Sequence, residues 1–299
     1  MKEEKKSATE IFLLARDYDL AATLDSGQAF RWREQGGAWT GIVGNRLVRL
    51  RQADEGIWAE TATPVEDWEW LREFLQTEIV LENILKTFPE DVPMNQTVAA
   101  CRGLRILRQE PWECLASFIL SSTKQIVQIR QIVTQLCICF GERLAPMPSG
   151  FADSKWQVSE DLACAFPSAE RIAGLTEMDL RNCKMGFRAP NLLGAARQIA
   201  EGKLDLARLR ELPYSEARAE LMKLRGVGGK IADCVLLFAY GFDSAFPVDV
   251  WVERALQTLY FPRRRASKKR LLNFAATHFG PHAGYAQQYL FHYMRTKQR

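Results

Sequence analysis

The run 224–250, LRGVGGKIADCVLLFAYGFDSAFPVDV, constrains the fold more than any other part of the chain. Within it, Leu224, Gly226, Val227 and Gly228 read as a tight, glycine-dependent turn leading directly into an apolar helix. Two glycines let the backbone approach a ligand closely, and the N-terminus of the following helix aims unpaired N–H groups outward. Both features suit a phosphate of a nucleic-acid backbone. A simple helix–turn–helix with glycine at a cap accounts for the same spacing equally well, so the turn alone does not decide.

Lys230 falls in the first turn of that helix, where the macrodipole disfavours a cation. A lysine so placed is ordinarily a solvated surface charge. The same disfavour, joined to partial burial, would lower the amine's pKa from about 10.4 and leave more of it neutral and nucleophilic. Asp249 follows Pro247 and Val248 and precedes an apolar helical pattern of Val252, Ala255 and Leu256, which is the setting of an N-cap. Capping does not exclude chemistry. A carboxylate held rigid and ionised suits stabilisation of positive charge on a sugar ring as a glycosidic bond breaks.

The first third of the chain reads as mainly strand. Segments 38–43 and 46–51 are β-prone and flank Gly44-Asn45, a two-residue hairpin signal, and 56–61 is a third strand. Leu47 and Leu50 do not alternate cleanly, so the turn and flanks carry the assignment of 46–51. From Glu66 onward the pattern turns helical. Pro111 opens a helix with Trp112, Leu115, Phe118 and Ile119 on one stripe; a second covers 125–140 and stops at Gly141. Further helices are expected over 189–198, 214–221, 230–240, 249–260, 268–279 and 282–294, with a Pro- and Ser-rich loop at 145–150. The expected architecture is α+β: an N-terminal antiparallel sheet subdomain over 8–110, packed on a larger helical body over 111–299. The helix–hairpin–helix falls at about 214–240, and the active cleft is expected between the subdomains.

Composition sets outer bounds. With 299 residues, 47% hydrophobic and 25% charged, the chain is long enough for a substantial core and is not of a disordered class. No apolar run approaches the ~20 residues that span a bilayer, and the charged start MKEEKKS leads into no signal-type core. Seven scattered cysteines show no framework spacing and read as reduced core thiols of an intracellular protein, cytoplasmic or nuclear. Cys137 and Cys139 lack partners and histidine is scarce, so no zinc or iron–sulfur site is expected, and nothing in side-chain composition demands any other ion. The net charge of +4 hints at a polyanionic partner without separating nucleic acid from a membrane surface. Arg263, Arg264, Arg265, Lys268, Lys269 and Arg270 read as a solvated basic run, with phosphate attraction second.

Three separated motifs stand in order: SGQAFRWR over 26–33, LRGVGGKIADC over 224–234 followed by Pro247-Val248-Asp249, and GPHAGYAQ over 280–287. Together they resemble the helix–hairpin–helix–Gly/Pro–Asp superfamily of DNA glycosylases and, more narrowly, the eukaryotic-type 8-oxoguanine DNA glycosylases, over roughly residues 10–295. The resemblance implies that Lys230 attacks C1′ of the damaged nucleotide, expels the base and forms a Schiff base. Strand cleavage by β-elimination then follows. Asp249 would orient the lysine and stabilise the oxocarbenium-like transition state, and Gly226 and Gly228 would meet the DNA backbone. Lys230 argues against the alkyl-base branch, which keeps the aspartate and uses water. The lack of any cysteine after Cys234 argues against branches bearing a C-terminal iron–sulfur cluster.

The resemblance also implies a base pocket. Oxidation at C8 turns N7 of guanine from an acceptor into an N–H donor, which a fixed backbone carbonyl would attract. Gly27 would supply that carbonyl, Gln287 would bond the Watson–Crick edge, and Phe291 and Cys234 would cover the two faces of the ring. Taken alone, Phe291 and Cys234 read as core, Gln287 as surface and Gly27 as a turn glycine. Base extrusion costs a few kcal/mol. Phe187 resembles the family's wedge and Arg188 its arginine facing the orphaned cytosine. The family's asparagine-rich turn and nearby arginine are replaced here by Thr123-Lys124-Gln125 and Gln128. With fewer donors facing the opposite base, cytosine selectivity is expected to relax. The implied partner is double-stranded DNA containing oxidised guanine, engaged by a monomer without a membrane and without a cofactor. The rivals are a glycosylase of the same superfamily with another lesion preference, and a hairpin module that only binds DNA, which would need neither Lys230, Asp249 nor Gln287.

Overall fold

The computed structural model describes residues 8–122, 124–144, 160–263 and 265–297. Thr123, Arg264 and the loop 145–150 lie outside the described residues. The N-terminal part is a five-stranded antiparallel sheet of β1 (Ala8–Leu14), β2 (Arg33–Gln35), β3 (Ala38–Val43), β4 (Arg46–Ala53) and β5 (Gly56–Val65), in the order β1-β5-β4-β3-β2. The hairpin at Gly44-Asn45 joins β3 to β4 with Val43 paired to Arg46. Beyond the three expected strands, β1 and β2 close the two edges.

The register explains the broken alternation of β4. Leu50 sits opposite Ala59, and Leu13 opposite Ile57, on one buried face. Leu47 pairs with Ile42 on the other face, where Leu162 covers them. Both faces of β4 therefore hold apolar residues, and a period-two pattern cannot survive. Further along that second face, Glu60 accepts from Arg49 at 3.2 Å and Arg51 at 3.4 Å. Trp32 lies flat against β3: a Cβ on Gly41 would sit 2.5 Å from its ring, which only glycine avoids.

The helices follow as α1 (Leu20–Asp25), α2 (Glu69–Leu75), α3 (Leu81–Leu85), α4 (Val92–Cys101), α5 (Pro111–Leu120), α6 (Ile126–Phe140), α7 (Ala169–Ala173) and α8 (Glu177–Asn182). After them come α9 (Ala189–Ala200), α10 (Tyr214–Met222), α11 (Gly229–Val235), α12 (Val250–Tyr260), α13 (Lys268–His278) and α14 (Ala283–Thr296). Two helix starts expected from pattern, Asp249 and His282, are caps instead. The segment expected as one helix over 230–240 changes winding: α11 continues into a π turn, Leu236–Tyr240, closed by Gly241. Donors from outside claim its carbonyls, Arg108 Nη1 at Leu237 O and Gln109 N at Phe238 O, and a widened turn leaves those oxygens available.

The chain forms two compact units, each assembled from three segments: 1–16, 29–78 and 119–205 in one, and 17–28, 79–118 and 206–299 in the other. The sheet belongs to the first and the hairpin α10–α11 to the second. Six of the seven cysteines are buried, Cys139 being the exposed one, and all are free thiols. No helix among the described residues is long and apolar enough to cross a membrane.

Candidate functional site

The hairpin is built on Gly226, whose φ of +83° is the left-handed conformation that costs other residues about 1–2 kcal/mol. Gly228 differs. It is the extended N-cap of α11 with φ −95°, and nothing lies within 4 Å of where a Cβ would stand. Asp233, buried on α11, ties the two helices together by accepting from Arg218 Nε at 2.6 Å and from the Tyr214 hydroxyl at 2.8 Å, both on α10.

Lys230 stands half-buried in the first turn of α11, its Nζ 5.2 Å from the centroid of the Phe118 ring. One turn on, Cys234 lies within electrostatic reach of the Lys230 amine. Burial pushes the Cys234 thiol up to about 12, with Lys230 pulling the other way, so Cys234 stays a neutral thiol at physiological pH. Asp249 caps α12, with Trp251 N at 3.0 Å and Val252 N at 2.9 Å both donating to Oδ1. Burial raises its carboxyl above the ordinary range, opposed by the Val252 N–H and by the charge of Lys230. The expected nucleophile, its carboxylate and Cys234 are thus within electrostatic reach of one another. The Lys230 amine lies over an aromatic face, and the second oxygen of Asp249 takes no part in capping.

Gly27 follows α1 at φ +77°, half-buried, and its carbonyl accepts no hydrogen bond among the described residues. On α14, Gln287 is only 3% exposed, yet its Oε1 has no partner among the described residues. Such a buried acceptor costs about 1–3 kcal/mol unless a ligand satisfies it. Phe291, one turn further, is half-buried. Lys230, Cys234, Asp249, Gly27, Gln287, Phe291, Gly226 and Gly228 all belong to one compact unit.

The residues expected to face the opposite base lie in the other unit. Phe187 stands 60% exposed beside Arg188, whose guanidinium is 4.2 Å from its ring centroid. Arg188 is buried and donates to the carbonyls of Ser122 and Met185. Gln128 is exposed, and its Oε1 accepts from Gln125 N at 3.2 Å in the capping box of α6. Thr123 lies outside the described residues. Phe118, which meets Lys230, and Gln109 and Gln288, which hold the carbonyls on either side of Gly27, are not singled out by pattern. Phe118 is one member of an apolar stripe, and nothing local distinguishes Gln288 from its neighbour.

A glycine-closed helix hairpin carrying a lysine, followed by a helix-capping aspartate, defines a protein of the helix–hairpin–helix class. Residues 116–279 match the HhH-GPD superfamily of base excision DNA repair proteins, and residues 10–115 match the N-terminal domain of 8-oxoguanine DNA glycosylase. A probable N-glycosylase/DNA lyase of Methanothermobacter thermautotrophicus is 31% identical over 93% of this chain and 94% of its own length. The N-glycosylase/DNA lyase OGG1 of Arabidopsis thaliana is 31% identical over 91% of this chain and 76% of its own. Among solved structures, the Clostridium acetobutylicum 8-oxoguanine glycosylase/lyase bound to double-stranded DNA superposes with a TM-score of 0.85 at 30% identity. That match covers 97% of this chain and 99% of the other. The chain belongs to the HhH-GPD superfamily, in its branch of N-glycosylase/DNA lyases.

Proposed function

We propose that this N-glycosylase/DNA lyase acts as a monomer on double-stranded DNA, extrudes 8-oxoguanine, and removes it with Lys230 as nucleophile. What supports this most is that Lys230 lies within electrostatic reach of the helix-capped Asp249, in the unit that also carries two acceptors with no partner among the described residues, the Gly27 carbonyl and Gln287 Oε1. A ligand offering donors at both places fits, and 8-oxoguanine offers N7–H on one edge and N1–H with its amino group on the other. The Clostridium acetobutylicum protein was solved with cytosine opposite 8-oxoguanine.

The Lys230 nitrogen bonds to C1′ as the bond from C1′ to the base breaks, and the departing base takes up a proton. Asp249 stabilises the positive charge that develops on the sugar, using the oxygen that capping leaves over. Sugar-ring opening gives the Schiff base. Loss of a C2′ proton then expels the 3′ phosphate, and water releases the enzyme. Phe291 and the neutral Cys234 thiol cover the ring faces, while Gly228 leaves room for a backbone phosphate.

Borohydride reduction during reaction with a duplex containing 8-oxoguanine tests the reading. A covalent adduct is expected with the wild-type protein and none with Lys230→Gln. Unmodified wild-type protein that still binds the duplex would sink the mechanism, and adducts formed only with other lesions would sink the substrate.

A further inference from the structure

The loop that carries Gly27 is held in an unusual way. Its two flanking carbonyls are each taken by a glutamine amide, while its own is left open. Ser26 O accepts from Gln288 Nε2 at 3.0 Å, and Gln28 O accepts from Gln109 Nε2 at 2.8 Å. The surroundings are rigid. Ser26 and Gln28 are fully buried, and the Gln28 amide spends its donors on Thr23 O, Ser26 Oγ and Arg105 O while its oxygen accepts from Leu107 N. Each clamp is also rooted in the site. Gln288 directly follows Gln287 on α14, and Gln109 donates its backbone N–H to Phe238 O in the π turn continuing the helix of Lys230 and Cys234.

Glycine tolerates backbone angles closed to other residues, so ψ of Gly27 offers little resistance to turning the peptide that joins it to Gln28. A flip of that peptide would replace the Gly27 carbonyl with the Gln28 N–H. An acceptor would become a donor, which favours the N7 acceptor of ordinary guanine and repels the N7–H of the oxidised base. Fixing the carbonyl on either side holds the two α-carbons between which that peptide turns, so a flip must drive Gln28 itself into a strained φ and cannot be absorbed by movement of the loop.

We propose that Gln109 and Gln288 are positioning residues for lesion specificity, holding the Gly27 peptide with its carbonyl toward the base. This rests on the reading that the Gly27 carbonyl meets the N7 edge. The clamp sets which base is accepted more than how tightly DNA is held, because neither glutamine is assigned a contact with the nucleic acid.

The test uses Gln288→Met and Gln109→Met, which keep side-chain volume and remove the donor, each in a Lys230→Gln background that prevents turnover. Affinity is measured for three duplexes, carrying 8-oxoguanine, guanine, or a tetrahydrofuran abasic analogue with no base to read. The expected result is a fall of about tenfold in the preference for 8-oxoguanine over guanine, the scale of one or two well-placed hydrogen bonds. Affinity for the abasic duplex should change much less. A preference kept within about twofold of the parent, or a parallel weakening on all three duplexes, overturns the clamp, since a merely structural role predicts no change in ratio. Should Gln288→Met fail to fold, the half-buried Gln109→Met carries the same readout. If the parent protein shows no preference for 8-oxoguanine, the reading of the pocket falls and the clamp with it.

Discussion

Asp249 is asked to do two things with one carboxylate. Its Oδ1 caps α12, an arrangement worth about 1 kcal/mol, and its charge lies within electrostatic reach of Lys230. Because burial raises its carboxyl above the ordinary range, the folded protein binds this proton more readily than the unfolded chain. The sign follows. The ionised group costs stability, the cost is absent below the ordinary carboxylate range, and it grows as pH rises through the raised value. Asp249→Asn keeps an oxygen for the cap and loses the charge. It should match or exceed the wild type in melting temperature at neutral pH while losing most excision, and a large drop in melting temperature would contradict this account. In the wild type, the acid limb of the excision rate should lie above the range of an unperturbed carboxylate. Lys230 and Asp249 were legible in the sequence because their settings, a helix start after glycines and a cap after proline, are local. Phe118 beneath the lysine was not, since only folding brings α5 to α11.

At the scale of elements, the hairpin divides labour between two glycines that look alike in sequence. Gly226 needs its left-handed φ, whereas Gly228 has an ordinary backbone and empty space beside it. Gly226→Ala should therefore cost about 1–2 kcal/mol in unfolding experiments. Gly228→Ala should leave the melting temperature close to the wild type and weaken DNA binding about tenfold by intruding on the phosphate approach. Equal stability losses in both would refute the division. Element type was readable wherever one face met the core, as in α6 with its apolar spacing and Gly141 stop. It blurred where neighbours decided. Strand β4 is covered on both faces, and the carbonyls of the π turn after α11 accept from Arg108 and Gln109, which reach in from elsewhere in the chain.

For the whole molecule, the residues assigned to the damaged base lie in one compact unit and those assigned to the opposite base in the other. The two selectivities should then vary independently. Arg188 is already bonded to Ser122 O and Met185 O, and Gln128 stands where the family has an arginine, so few donors are assigned to the opposite base. Excision opposite cytosine should exceed excision opposite adenine by no more than about tenfold, and Gln128→Arg should raise that ratio without altering the preference for 8-oxoguanine over guanine. One good bidentate contact is worth roughly 1–3 kcal/mol, enough to be read in such a ratio. A wild-type ratio of several orders of magnitude would refute it. The hairpin turn, the helix starts and the cap at Asp249 were legible in the sequence itself, because glycine turns, caps and helical spacing are local rules of backbone and burial; the class, and with it the roles assigned to Lys230 and Asp249, came from the likeness of three ordered motifs to a known family. Only the tertiary structure decided that Gln288 reaches Ser26 across 262 positions, and that, among the described residues, the buried Gln287 oxygen has no partner and the Gly27 carbonyl is the open one of three. Hydrogen bonds between distant segments leave no periodic trace in a chain; they exist once packing has placed donor and acceptor within 3 Å or so of each other.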